Sequence, residues 1–141
     1  MKDPYSKYET IEDTLSNSDM SFLSATAKIA QTSDYRFRMA ALIVKSGRVL
    51  GGDTNSPKIS PNTPPKRVST HAEIRAIKGV KNTVGATMYI ARLSSEGATA
   101  LSKPCVWCLQ HIIDAGISRI VYTDNEGHGV SFRTDMITWR D

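Results

Sequence analysis

Two short segments constrain this 141-residue chain more than anything else in it: Thr70-His71-Ala72-Glu73 and Pro104-Cys105-Val106-Trp107-Cys108. Both of its cysteines lie in the second segment. One histidine and two cysteines make three zinc donors, so a fold that uses them must bring two distant stretches of chain to one point. Three protein donors leave one tetrahedral position open, as in catalytic zinc sites; structural sites close it with a fourth ligand. Glu73, two residues from the histidine, stands ready as a proton carrier beside that open position.

Both segments fall where helices are expected to begin. Cys105 and Cys108 are three apart and share one face of a first turn. His71 and Glu73 are two apart and would diverge in the middle of a helix, but at a helix end aimed at the metal both reach the same spot. Two thiolates cancel the charge of Zn²⁺, which weakens its pull on a bound water. Two helix N-termini aimed at the metal, each equivalent to roughly half a positive charge, compensate. They also favour the thiolate forms of the cysteines. Activated water with a carboxylate shuttle suits hydrolysis of an amidine-like C–NH₂ group, such as those on cytosine and adenine. Taken alone, the C-x-x-C also fits a thioredoxin-like redox pair. The His-Ala-Glu segment argues against that.

The rest of the chain supplies a scaffold for these segments. Residues 1–17 are polar and read as an N-terminal arm, either loose or with a short turn of helix after Thr10; a single domain is expected over 18–141. Phe22, Leu23, Thr26, Ala27 and Ala30 recur at helical spacing and predict a helix from Asp19 to Gln31, capped by Asn17 or Ser18. Met39 to Val44 and Arg48 to Gly52 flank Ser46-Gly47 and read as a hairpin. Asp53 to Ser69 holds four prolines and reads as a long loop. Ser69 or Thr70 caps a helix from Ala72 to about Val80, and Ala86 to Ala91 follows as a strand. Pro104 stands where proline opens helices, and Gly116 where glycine ends them. Arg119 to Thr123 is a strand, and Val130 to Arg133 returns as a final antiparallel one. Two strands each preceded by a ligand-bearing helix require crossover connections. The expected class is therefore α/β: a three-layer α/β/α arrangement around a five-stranded mixed sheet with helices on both faces.

Composition adds less. No apolar run is long enough to span a membrane, and the N-terminus lacks the apolar core of a secretory signal, so a cytoplasmic location is the default. The net charge of +4 suits phosphate-bearing partners. Arg36, Arg38, Lys58, Lys66, Arg67 and Lys103 are candidates to ring a pocket mouth, although each reads equally as solvated surface. Asn55 in isolation reads as a turn former. Trp107 reads as packing or pocket wall, and His111 as a surface or second-layer residue.

At these residues the chain resembles the cytidine deaminase-like superfamily, whose zinc members carry H-x-E followed by P-C-x-x-C. The likeness extends from about Asp19 to Thr123. Met39-Ala40-Ala41-Leu42-Ile43-Val44, Gly52-Asp53-Thr54-Asn55, Gly85-Ala86-Thr87-Met88-Tyr89 and Ala115-Gly116-Ile117 match it more weakly. It looks most like the deoxycytidylate-type small deaminases. The resemblance implies one catalytic zinc on His71, Cys105 and Cys108, with Glu73 as proton shuttle. It implies that Asn55 contacts the sugar and that the backbone at Ala72 and around Pro104 holds the base. Lys103, where relatives more often carry a small or acidic residue, is counted with the substrate-binding residues. A homo-oligomer is expected by analogy. An antiparallel last strand resembles the free-nucleoside enzymes, whereas the Asn55 loop and the His ligand resemble the nucleotide and tRNA branches. The leading expectation is conversion of cytosine to uracil in a nucleotide or nucleoside, of the deoxycytidylate or cytidine type. The alternative is action on cytosine or adenine in single-stranded DNA or RNA, with the basic loop from Lys58 to Arg67 as a track for the backbone. A zinc-stabilised binding module is a third reading, but such a module has no need of Glu73.

Overall fold

Alternating side chains along one central strand divide the protein into two packed faces. The computed structural model describes residues 7–33, 38–56 and 71–140. Its elements are β1 (Lys7–Asp13), α1 (Asn17–Ala30), β2 (Arg38–Lys45), β3 (Arg48–Thr54), α2 (Ala72–Lys78), β4 (Thr87–Leu93), β5 (Thr99–Ala100), α3 (Val106–Asp114), β6 (Arg119–Thr123) and β7 (Gly129–Arg140). Successive strand residues point to opposite faces. Ala41 and Ile43 of β2 therefore join one core with Ala72 and Ala76 of α2, Leu109 and Ile112 of α3, and Phe132 of β7. Leu42 and Val44 join the other, with Tyr89, Val121 and Leu23 of α1. Helices thus cover both faces of one mixed sheet, and the expected three-layer α/β/α class holds. Among the described residues, no helix is long and apolar enough to cross a membrane.

The strand count needs correction. The sheet has seven strands, ordered β1-β7-β6-β4-β2-β3 with β5 pairing β4, where five were expected. The five predicted strands are all present, and β4 and β6 pair in parallel across the α3 crossover. The two additions are the two-residue β5 and the N-terminal β1. Residues 7–13, read as part of a polar arm, pair antiparallel with β7 from Lys7↔Arg140 to Asp13↔Ser131. Only Tyr8 and Thr10 of that strand are half-buried and its other residues are exposed, so its sequence looks like surface. Edge strands are commonly polar in this way. Pairing with β1 also carries β7 well past Arg133, where the sequence suggested it would stop.

Helix α1 starts at Asn17, two residues earlier than expected, because Ser16 is the cap. Its Oγ accepts from the Asp19 backbone N–H at 3.0 Å, and the Asp19 carboxylate accepts from the Ser16 N–H at 2.8 Å, a reciprocal capping box. The same carboxylate accepts from Tyr89 of β4 at 2.6 Å and from both terminal nitrogens of Arg119 of β6 at 2.7 and 2.8 Å. One buried side chain therefore caps α1 and ties it to two central strands. The Arg119 guanidinium, helped by the Ser16 N–H and the Tyr89 hydroxyl, holds the Asp19 carboxyl well below the usual carboxylate range. A carboxyl depressed in the folded state contributes stability that is present above its unfolded value of about 4 and is lost as pH falls through the folded value. Asp19→Ala is expected to cost about 3–5 kcal/mol, because it leaves Arg119 without its buried partner. Urea unfolding at neutral pH and near pH 3 checks both points. The variant loses less stability on acidification than the parent does.

Candidate metal centre

The two ligand segments meet because α2 and α3 lie side by side on the same face of the sheet. His71 occupies the N-cap position of α2 and Cys105 that of α3, both with extended backbone. Ser69 and Thr70, the expected caps of α2, lie outside the described residues. Pro104 precedes the α3 cap by one residue and so does not open the helix itself. Cys108 sits in the first turn of α3, fully buried, and its N–H faces the Cys105 Sγ at 3.5 Å. The His71 Nδ1 is 3.0 Å from the Cys108 Sγ and 4.0 Å from the Cys105 Sγ. All three donor atoms lie within 4.8 Å of one another, and both cysteines are free of disulfides. Two soft sulfurs and an imidazole suit zinc, and three protein donors leave room for a small molecule.

Glu73 lies in the first turn of α2 and is 1 % exposed. Its Oε1 is the one buried side-chain N or O atom with no hydrogen-bond partner among the described residues. Burial pushes the carboxyl above its ordinary range; Cys105 pushes the same way, while His71 and Cys108 oppose it. A buried carboxyl with one oxygen left unpartnered costs stability, and here it stands against the three-donor cluster. That is the arrangement expected of a group kept for a proton and a water, so the residues present fit a catalytic zinc. The surroundings are apolar: Ile74, Trp107 and Cys108 form a buried cluster with Cys105 packed against it. Trp107, read from sequence as packing, meets the His71 ring edge-on at 6.1 Å and the His111 ring at 5.0 Å. Among the described residues, His111 lies outside the three-donor group.

The other sequence candidates fall in several places. Ala72 is the first residue of α2 and is buried. Pro104 is buried, and Lys103 is half-buried with its Nζ 4.8 Å from the centre of the Tyr8 ring. Asn55 is buried just past β3, where its Oδ1 accepts from the Met39 N–H at 3.0 Å and from the Ser33 hydroxyl at 2.7 Å. That oxygen pins the end of the β2–β3 hairpin to the segment after α1. Arg38 donates to the Ser94 carbonyl at 3.2 Å, a backbone contact within the fold. Arg36, Lys58, Lys66 and Arg67 lie outside the described residues.

Sequence reasoning missed Tyr8. Its hydroxyl donates to the Pro104 carbonyl, one residue before a metal donor. Burial pushes that hydroxyl's proton affinity well above the usual tyrosine range. The only signal available was a tyrosine and a threonine alternating in a β-compatible stretch.

A protein-family model described as the cytidine and deoxycytidylate deaminase zinc-binding region matches residues 16–124. No curated protein matches the sequence. Solved structures of similar fold include the apo dCMP deaminase of cyanophage S-TIM5, at 19 % identity and TM-score 0.60, covering 79 % of this chain and 86 % of that one. A tRNA:A34 deaminase aligns at 22 % identity and TM-score 0.53, covering 75 % of this chain and 76 % of that one. The diaminohydroxyphosphoribosylaminopyrimidine deaminase/reductase of Thermotoga maritima aligns at 21 % identity and TM-score 0.51, covering 77 % of this chain but 30 % of that one.

Proposed function

The chain belongs to the zinc-binding cytidine and deoxycytidylate deaminase family and is a zinc-dependent deaminase, and on that premise we propose that it converts cytosine to uracil in a free nucleotide or nucleoside, with deoxycytidylate as the first choice. The observation that carries the reading is the buried Glu73 carboxyl, its Oε1 without a partner among the described residues, against the His71, Cys105 and Cys108 donors. Two further features support the free-substrate form. The last strand, β7, runs antiparallel to β6, the arrangement that the family resemblance links to nucleoside enzymes. The chain is also similar in fold to a phage dCMP deaminase over 86 % of that protein's length.

The residues divide the work as follows. His71, Cys105 and Cys108 would hold zinc, which supplies a Lewis acid that makes water nucleophilic near neutral pH. Glu73 would take one proton from the attacking water and deliver it to the ring nitrogen, then take the second from the new hydroxyl on the attacked carbon and pass it to the departing amine. Cytosine and water give uracil and ammonia, so no other reactant is needed. The backbone at Ala72 and Pro104 holds the base, and Asn55 contacts the sugar. Ile74 and Trp107 keep bulk water away from the exchange. A homo-oligomer is the proposed form in solution.

The test is a screen of the zinc-loaded protein against cytosine, adenine and guanine, each as base, nucleoside, monophosphate and short oligonucleotide. Release of ammonia with loss of the cytosine absorbance on deoxycytidylate or cytidine is the expected result. Turnover confined to oligonucleotides would transfer the site to a polynucleotide substrate, and absence of turnover on every base would end the proposal.

A further inference from the structure

Strand β1 lies outside the residues matched by the family model, which begin at position 16, yet its Tyr8 hydroxyl donates to the Pro104 carbonyl, one residue before Cys105. A cleft of about 440 Å³ opens between β1 and the segment leading into α3. Lys7 and Tyr8 line one side, and Lys103, Pro104 and Cys105 the other. Cys105 belongs both to this cleft and to the three-donor cluster. A substrate whose base sits at the donors therefore has this cleft directly beside it for the rest of the molecule.

Apart from the Cys105 sulfur, the charge in the cleft is positive. Two lysines line it and no acidic side chain does. Neither lysine forms an ion pair among the described residues. Lys103 is nevertheless held in place, with its ammonium 4.8 Å from the centre of the Tyr8 ring. A ring face attracts a cation without neutralising it. The ring is fixed in turn, because the Tyr8 hydroxyl donates to the Pro104 carbonyl. It also packs against Phe132 and Trp139 of β7, with ring centres 6.4 and 5.9 Å away. A positioned ammonium without a carboxylate partner is a ready binder for phosphate, which lysine meets as a point charge.

We propose that this cleft holds a phosphate ester of the substrate, with Lys103 as the binding cation, Lys7 reinforcing it, and Tyr8 as the residue that positions Lys103. The inference rests on the deaminase reading above and deepens it. It makes a phosphate-bearing substrate preferred over the bare nucleoside, through a wall that this chain builds from its own N-terminal strand.

The experiment compares deoxycytidine, deoxycytidylate and a short cytosine-containing oligodeoxynucleotide for the parent protein, Lys103→Ala, Lys103→Arg and Tyr8→Phe. The preference for deoxycytidylate over deoxycytidine, as a ratio of kcat/KM, is expected to fall about tenfold in Lys103→Ala, the loss of one charge-assisted contact. The fall resides in KM rather than kcat. Lys103→Arg restores most of it, and Tyr8→Phe, which keeps the ring but not the hydroxyl, gives a smaller fall of the same kind. Lys28→Ala, removing an exposed lysine of α1 on the opposite face, leaves the ratio unchanged. Lys103 dependence seen only with the oligonucleotide keeps the cleft and assigns it a backbone phosphate. An unchanged ratio in Lys103→Ala, or equal losses on nucleoside and nucleotide, overturns the proposal. Calorimetric binding of deoxyuridylate against deoxyuridine separates this outcome from a failure of the deaminase reading. A Lys103-dependent preference for deoxyuridylate without turnover upholds the cleft while the activity fails.

Discussion

Glu73→Gln is expected to keep one zinc per chain and to lower kcat by about 10³-fold, the middle of the range a general acid–base group supplies. The side chain is 1 % exposed, and its Oε1 meets no donor among the described residues. Burial raises its affinity for a proton, which is what a shuttle needs. Glutamine keeps the volume and removes that capacity. Because burial outweighs the support the carboxyl receives from His71, its own N–H and Cys108, replacing it relieves a desolvation cost, and the melting temperature of the variant should equal or exceed that of the parent. Glu73→Ala should show the same loss of turnover with zinc retained, although the cavity it leaves offsets part of the thermal gain. Metal analysis, steady-state kinetics and a thermal melt on the same preparations decide the point. If zinc leaves together with activity, Glu73 belongs to the structure of the centre and is no shuttle.

The residues of this centre were legible in the sequence because their geometry is local. Cys105 and Cys108 share a helical turn, and His71 and Glu73 flank a helix start, so each half of the site is fixed by its own element. The central strands were legible for a related reason. Met39 to Val44 is a continuous apolar run, and the strand is buried on both faces by α1 on one side and by α2 and α3 on the other. β1 was not legible, because its evidence lies at the far end of the chain. Lys-Tyr-Glu-Thr-Ile-Glu-Asp has mostly exposed side chains, and only the ladder to residues 131–140 makes it a strand. The Tyr8–Pro104 bond spans 96 positions and leaves no local trace. Asn55 shows a different limit. Its residue type suggests a turn, whereas the fold uses its Oδ1 to join Met39 and Ser33, partners that no spacing rule connects. The Ser16 cap, by contrast, was readable: Asp19 three residues on completes the box, and only the neighbouring Asn17 and Ser18 obscured it.

Cys108→Ser should have the larger consequence of the two, because it removes metal, turnover and stability together. Cys108 is fully buried, and its Sγ is 3.0 Å from the His71 Nδ1, at the point where α2 and α3 meet. Serine nearly matches it in shape but offers a hard oxygen in place of a soft sulfur, a poor third donor for zinc. Zinc should fall from about one per chain to near zero after dialysis, and kcat with it. A zinc held by His71, Cys105 and Cys108 would join two helices that otherwise touch mainly through apolar side chains. Binding to the folded state alone adds RT ln(1 + [Zn]/Kd), about 4 kcal/mol at a thousandfold excess over Kd. At the roughly 2–4 °C per kcal/mol of a domain this size, the melting temperature should drop by about 10 °C. The sheet and α1 do not depend on the metal, since their cores include neither His71 nor the cysteines. Far-ultraviolet circular dichroism of the variant should therefore remain that of a folded α/β protein below its transition. Chelation of the parent should reproduce the same loss, and added zinc should restore activity to the parent but not to Cys108→Ser. If the serine variant retains both metal and turnover, the three-donor centre is wrong, and the proton path through Glu73 loses its starting point.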